Sequence, residues 1–198
     1  MNFGKTGVVF AATLAAFAIG GALFIESGYY DIGADDHHTK LVLAVIEQLR
    51  ERSIAARART VEVQYVVDPA RIAAGAQRYA ALCVGCHLAP GVTKSEIRPG
   101  LYPHPPNLAQ EEMQPAQRAF WIVKHGIKMS AMPAWNKTLD DAAIWDIVSF
   151  VRKMPAMTPE TYRELSRTTL DAQDARASAG SHYAAKGADS SGLNRENY

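Results

Sequence analysis

Cysteine is nearly absent from this 198-residue chain: only Cys83 and Cys86 occur. A structural zinc site would need two further Cys or His ligands at a second short spacing, and the chain offers no such pair. A thioredoxin-like dithiol would sit after a strand in a βαβ context, whereas Cys83 follows a helical run and no strand pattern occurs beyond one short linker. Net charge is also lacking. A formal +1 gives no reason to expect nucleic acid or an acidic polymer as partner. There is no internal repeat, and the length suits one domain with an accessory element rather than two full domains.

What is present is concentrated around the two cysteines. Cys83-Val84-Gly85-Cys86-His87 places a histidine directly after the second thiol. A simple disulfide needs no such neighbour. The spacing is that of a covalent c-type haem attachment site, in which each thiol adds across one vinyl group and the next residue sets an imidazole on one face of the iron. His87 is the expected first axial ligand. The candidates for the second are Met129, Met132, His104 and His125.

The N-terminus supplies a compartment. One lysine lies among residues 1–6, and then Gly7 to Ile25 runs nineteen residues without charge. Nineteen helical residues rise about 28 Å, close to the hydrocarbon thickness of about 30 Å. A cleaved signal peptide is the rival, with Ala16-Phe17-Ala18 as an A-x-A site. The apolar run continues through Ile19, Leu23, Phe24 and Ile25, which favours an uncleaved anchor. Lys5 before the segment and Glu26 and Asp31 after it place the N-terminus in the cytoplasm. With either reading the remainder is exported, as covalent haem attachment outside the bacterial inner membrane requires.

Four segments are expected: residues 1–27 as the anchor or signal peptide, 28–67 as a connector with an amphipathic helix, 68–157 as the haem domain, and 158–198 as a short helix and tail. In the connector, Thr39 to about Ala58 reads as a helix with Leu41, Val45 and Leu49 recurring beside Val42 and Ile46. Arginines crowd its C-terminal end, which suits the helix dipole. This helix is expected to pack on the domain or to lie at the membrane surface, with a docking surface for a partner as the alternative. Val61, Val63 and Tyr65 alternate with polar residues as a short extended linker. The haem domain opens at Asp68-Pro69, an N-cap followed by proline, on a helix to about Leu82. Further helices are expected over Gln114–His125 and Asp140–Lys153, and a short one from Thr158 to Ala172. The Ala/Ser/Gly-rich tail beyond Ala175 is too poor in apolar residues to pack and is expected to be disordered. His37 and His38, adjacent before a helix, are expected to be solvated.

Residues 68 to 157 resemble the class I cytochrome c fold. The resemblance is carried by Gly75 and Tyr79 before Cys83, the CVGCH run, Pro106-Asn107-Leu108, His125-Gly126-Ile127, Met132-Pro133-Ala134-Trp135 and Ile144-Trp145-Asp146-Ile147-Val148-Ser149-Phe150-Val151. It implies an all-α module around one covalent haem, here with an N-terminal transmembrane helix and an additional amphipathic helix. It implies that Gly75 and Tyr79 cross Ile147 and Phe150, that Met132 is the second axial ligand, that the Pro106 carbonyl accepts from His87 Nδ1, and that Trp135 packs near a propionate. Met154 and Met157 are expected to be packing residues. The stretch from His87 to Pro106 is longer than in the smallest members of the family, so Tyr102 and His104 have no safe counterpart there.

The implied function is one-electron transfer. The partners would be redox proteins in or at the membrane: a quinol-oxidising complex or dehydrogenase on one side, a terminal oxidase on the other. A fixed haem c subunit of a larger oxidoreductase is the alternative, and a haem-based small-molecule reductase or sensor a further one. A His/Met site leaves no open coordination position, which argues against bond chemistry.

Overall fold

A computed structural model of the chain describes residues 3–64, 68–111 and 114–167. The described residues divide into two compact units that meet between His38 and Thr39. The first is built on α1, Phe3–Glu26, a continuous helix whose residues 4–26 are apolar and long enough to cross a membrane. Its helix ends at a turn where Gly28 adopts φ +62°. Beyond it, the Tyr30 hydroxyl lies 2.7 Å from Nδ1 of His38 and the two rings stack. His38 is therefore half-buried against a tyrosine, while His37 is exposed as expected.

The second unit contains α2 (Lys40–Ala58), α3 (Pro69–Leu82), the single-turn α4 (Val84–His87), α5 (Ala116–His125) and α6 (Asp141–Val151), with short 3-10 turns between them. Residues 159–167 are again helical. Among the described residues there is no strand, only one isolated bridge between Ala89 and Val92. Tyr65, the expected helix end at Ala172 and the tail beyond Ala175 lie outside the described residues.

Local chemistry sets the helix ends. Asp68 caps α3 by accepting from the Ala70 amide at 2.9 Å, with Pro69 in the first turn, and Asp140 caps α6 by accepting from Ala143 at 2.8 Å. The third long helix of the domain starts two residues later than the expected Gln114. Pro115 disfavours a helical conformation in the residue before it and itself takes ψ 141° as the cap. Gly126, at φ +65°, ends α5.

From Ala143 to Phe150 every residue of α6 except Asp146 is buried, because the helix serves two cores at once. Phe150 and the following Met154 join Ala76, Tyr79, Cys83 and Tyr162 in one cluster. Ile144, Trp145 and Val148 join Ala116 and Phe120 in the other, where Phe120 stacks on Trp145 with ring centroids 4.3 Å apart. The α3–α6 crossing rests on Gly75. A Cβ built there would strike the Asp146 carbonyl oxygen, lie 2.6 Å from its carbon and 2.9 Å from Phe150 Cβ. Gly75 therefore faces Asp146 and Phe150, one position from the expected Ile147. Tyr79 fills the angle beside it, 5.2 Å from the Phe150 ring. Arg71 and Arg78 close the crossing from outside by donating to the two oxygens of Asp146 at 2.7 and 3.2 Å.

On α2 the expected apolar stripe divides. Ile54 and Ala58 are buried, with Val42, Leu43 and Ile46 half-buried on the same side. Leu41, Val45 and Leu49 point away from the domain. Glu51 fastens α2 to α5 through Arg118 Nη2 at 2.5 Å.

Candidate functional site

A cleft of about 610 Å³ opens within the second unit, inside the range of about 300–1,000 Å³ typical of small-molecule and cofactor sites. Cys83, Cys86, His87, Met132, Pro106 and Trp135 all line it. Every residue assigned a site role from the sequence thus meets one cavity, although the chain between the first and last of them spans half the domain.

The cysteines arrive through α3 and α4. Tyr79 holds the junction: its hydroxyl donates to the Leu88 carbonyl at 2.6 Å, across the turn that carries the cysteines. The Cys83 amide donates to Tyr79 at 2.9 Å, and the His87 amide to the Cys83 carbonyl at 2.9 Å. Val84–His87 is therefore a true helical turn that sets both thiols and the imidazole toward the cleft. Burial, then the neighbouring Cys86, pushes the Cys83 thiol up to about 12. Burial, then the charges of Cys83, Tyr162 and Cys86, likewise pushes the Tyr79 phenol up, so it stays a hydrogen-bond donor.

His87 Nδ1 stands 3.0 Å from the Pro106 carbonyl oxygen. A carbonyl only accepts, so Nδ1 carries the proton and Nε2 keeps its lone pair. Burial is the largest influence on this imidazole and lowers its pKa; the Pro106 bond opposes it, and the Arg98 charge adds to it. The net direction keeps His87 neutral, the form that ligates metal. The Leu108 amide donates to the His87 carbonyl at 3.2 Å, so the Pro106-Asn107-Leu108 run grips the histidine at both backbone and ring.

Met132 is fixed by the end of α5. The Ile127 amide donates to the Met132 carbonyl at 3.1 Å. Gly126 lets that approach happen, since a Cβ on it would lie 2.6 Å from the same carbonyl oxygen. Ser130 closes the loop, donating to Ile127 O at 2.8 Å and accepting from the Met132 amide at 3.2 Å. Within this tight turn Met132 borders the cleft, whereas Met129 is 79% exposed and adopts φ +56°. His125 packs its ring against Trp121 and is exposed, and neither it nor Met129 lines the cleft. Of the alternatives to Met132, only His104 borders it, from an exposed position on the proline-rich loop.

The residues fit a haem. Two thiols, one neutral imidazole and one thioether share a cavity with mainly apolar walls, among them Ile54, Leu82, Ile122 and Val148. Arg98 also lines it. Its Nη2 donates to the Pro105 carbonyl at 2.9 Å, while its buried Nε has no hydrogen-bond partner among the described residues. A buried donor left over at the cleft suits a ligand that carries carboxylates.

Two contributions escaped the sequence reading. Arg98 lies in the long loop without a counterpart in the smallest family members. Arg50, Glu51 and Ile54 of α2 also form part of the cleft wall, so the helix expected to be accessory belongs to the site. The signal the sequence offers is the run of arginines toward the C-terminal end of α2, to which Arg50 belongs.

Residues 70–151 match the family model described as cytochrome C oxidase, cbb3-type, subunit III. No curated protein matches the chain. The matched segment starts inside α3 and ends with α6, so α2 lies outside it.

Proposed function

We propose that this chain, whose residues 70–151 match a c-type cytochrome family model, is a membrane-tethered one-electron carrier facing the periplasm. The domain is all-α and its chemistry is haem-based electron transfer. The reading of a single haem rests on the single CVGCH run. The observation that carries the carrier reading is the shared cleft of Cys83, Cys86, His87 and Met132. In this reading Cys83 and Cys86 would hold haem c through thioethers, and His87 and Met132 would ligate its iron. When bound, the haem supplies reversible one-electron oxidation and reduction.

The chain's own residues do the rest. Pro106 orients the imidazole and raises the basicity of its free nitrogen through the Nδ1–H bond. Gly126, Ile127 and Ser130 pin the loop that presents the thioether. Ile54, Leu82 and Val148 form part of the apolar wall, and Arg98 and Trp135, also at the wall, would donate to the carboxylates of the group held there. With an imidazole and a thioether both offered to the iron, no position would be left for substrate, which favours a carrier over an enzyme.

The α1 helix supports the tether: its apolar length matches a bilayer. Lys5 ahead of it, with Glu26 and Asp31 behind, favours a single pass of the bacterial inner membrane with the haem domain outside. Confinement to the membrane plane raises the effective concentration of the carrier near membrane-bound donors and acceptors of a respiratory chain.

The matching family, described as an oxidase subunit, favours one second reading: a fixed haem c subunit of a larger oxidoreductase. Redox titration of the full-length holoprotein in detergent tests the carrier: a single one-electron wave is expected, with no carbon monoxide binding by the reduced form. Rapid carbon monoxide binding would overturn it. A haem-stained native gel of membrane extract separates a free carrier, running near its own size, from a subunit running with a large complex.

A further inference from the structure

We propose that the outward face of α2 seats the cytochrome domain on the anionic surface of the membrane that α1 crosses. The inference rests on the anchor reading of α1 and adds a second membrane contact to it.

Leu41, Val45 and Leu49 are 76, 61 and 69% exposed. At 3.6 residues per turn they fall in one line, which continues through Arg52, Ala56 and Arg59, all exposed. The line therefore joins an aliphatic half to a cationic half on one helix face. Neither the Arg52 nor the Arg59 side chain has a hydrogen bond or ion pair with a described residue. The two carboxylates of α2, Glu47 and Glu51, project from the other side, and Glu51 is held by Arg118. An aliphatic face with arginines and no carboxylate matches the boundary between acyl chains and phosphate headgroups. The core of a protein–protein interface is instead enriched in aromatic residues and methionine, and this face carries none.

The covalent connection supplies the location. Only residues 27–39 separate α1 from α2, a length of about 45 Å at full extension. A helix of this kind cannot leave the neighbourhood of the bilayer while α1 remains in it. The opposite face of α2 carries Ile54, Arg50 and Glu51 into the wall of the haem cleft. Seating α2 on the headgroups thus holds the cleft about one helix diameter, 10–12 Å, from the membrane surface. The domain would then present its haem at a fixed height and orientation to partners embedded in the same membrane.

The test uses full-length holoprotein in vesicles of phosphatidylethanolamine and phosphatidylglycerol. Cys83 and Cys86 are the only cysteines and both are committed to haem, so a fluorophore on Val45→Cys labels α2 alone. We expect quenching by lipids brominated near the headgroup end of the acyl chain, and shielding from aqueous iodide. Arg52→Gln with Arg59→Gln should then lower the shielded-to-exposed ratio by about 25-fold, at about fivefold for each arginine on an anionic surface. A label open to iodide and untouched by bromine, in protein that withstands a carbonate wash, overturns the seating alone. A label shielded from both iodide and bromine also overturns it, and assigns the face to a second copy or another protein. Release of the whole chain by carbonate overturns the anchor, and the seating with it.

Discussion

Replacing Gly75 with alanine probes the α3–α6 crossing on which the position of the cysteine turn depends. The new methyl would lie 2.6 Å from the Asp146 carbonyl carbon and 2.9 Å from Phe150 Cβ. Both obstacles sit on the backbone or at its root, so neither can rotate aside. The Asp146 carbonyl oxygen is nearer still, so the helices must part by roughly 1 Å or more, and a gap of about 0.5–1 Å already forfeits a quarter to a half of the dispersion well for each facing pair. The Tyr79–Phe150 contact and the Arg71 and Arg78 bonds to Asp146 all bridge this crossing. Overpacking costs of about 3 kcal/mol, offset by about 1 kcal/mol from the better helix propensity of alanine, leave a net loss of about 2 kcal/mol. For a domain of this size the melting temperature should fall by roughly 10 °C. Gly85→Ala is the internal control, because a Cβ there meets nothing within 4 Å and the substitution should be neutral or slightly stabilising. Thermal unfolding of the two holoproteins followed by circular dichroism reads both. A Gly75→Ala protein as stable as the parent would refute the close-crossing argument.

Met132→Ala should abolish the sulfur-to-iron charge-transfer band of the oxidised protein, lower its potential and open the iron to carbon monoxide, while Met129→Ala changes none of these. Exchanged outcomes would put Met129 on the iron, and an unchanged spectrum in both would point to His104. Ile54→Ala, at a site 2% exposed, should cost about 2–4 kcal/mol in urea unfolding and lower the potential as water reaches the cleft wall; an unchanged midpoint and potential would remove α2 from the site. Burial alone would raise the Glu51 pKa, but hydrogen bonds from Arg50 and Arg118 and their charges outweigh it and hold the carboxyl below 4.5. Its contribution is therefore present at neutral pH and lost as pH falls below 4.5 through the folded value. Glu51→Gln should flatten that acid limb of the stability curve by about 0.5 kcal/mol, the pair being partly exposed, and an unaltered limb would show that Glu51 is not paired in solution.

The haem turn was legible because its chemistry is local: two thiols and an imidazole within five residues need no tertiary information. The caps at Asp68 and Asp140 were legible for the same reason. Gly75 and Tyr79 were recognised through the resemblance, yet the partner of Gly75 was displaced from Ile147 to Asp146, since a crossing point is set by helix rotation. Met132 and Met129 are three residues apart, and spacing alone left Met129 a candidate. The turn closed by Gly126, Ile127 and Ser130 places Met132 at the cleft and leaves Met129 exposed. The role of α2 was hidden because the helix has two apolar sides. The Leu41–Val45–Leu49 line is the more regular one on paper, but Ile54 and Ala58 are the residues that pack. Long-range pairs such as Glu51–Arg118 and Arg71–Asp146 leave no trace in a single sequence.

The central claim is a covalent haem on Cys83 and Cys86 with His87 on its iron. Acid–acetone extraction of the purified full-length protein, followed by intact mass measurement, tests it most directly. The account predicts that the pigment stays on the polypeptide and that the chain gains the mass of one haem, whereas Cys83→Ser with Cys86→Ser gains none. Pigment in the solvent phase and an unmodified chain mass would contradict it.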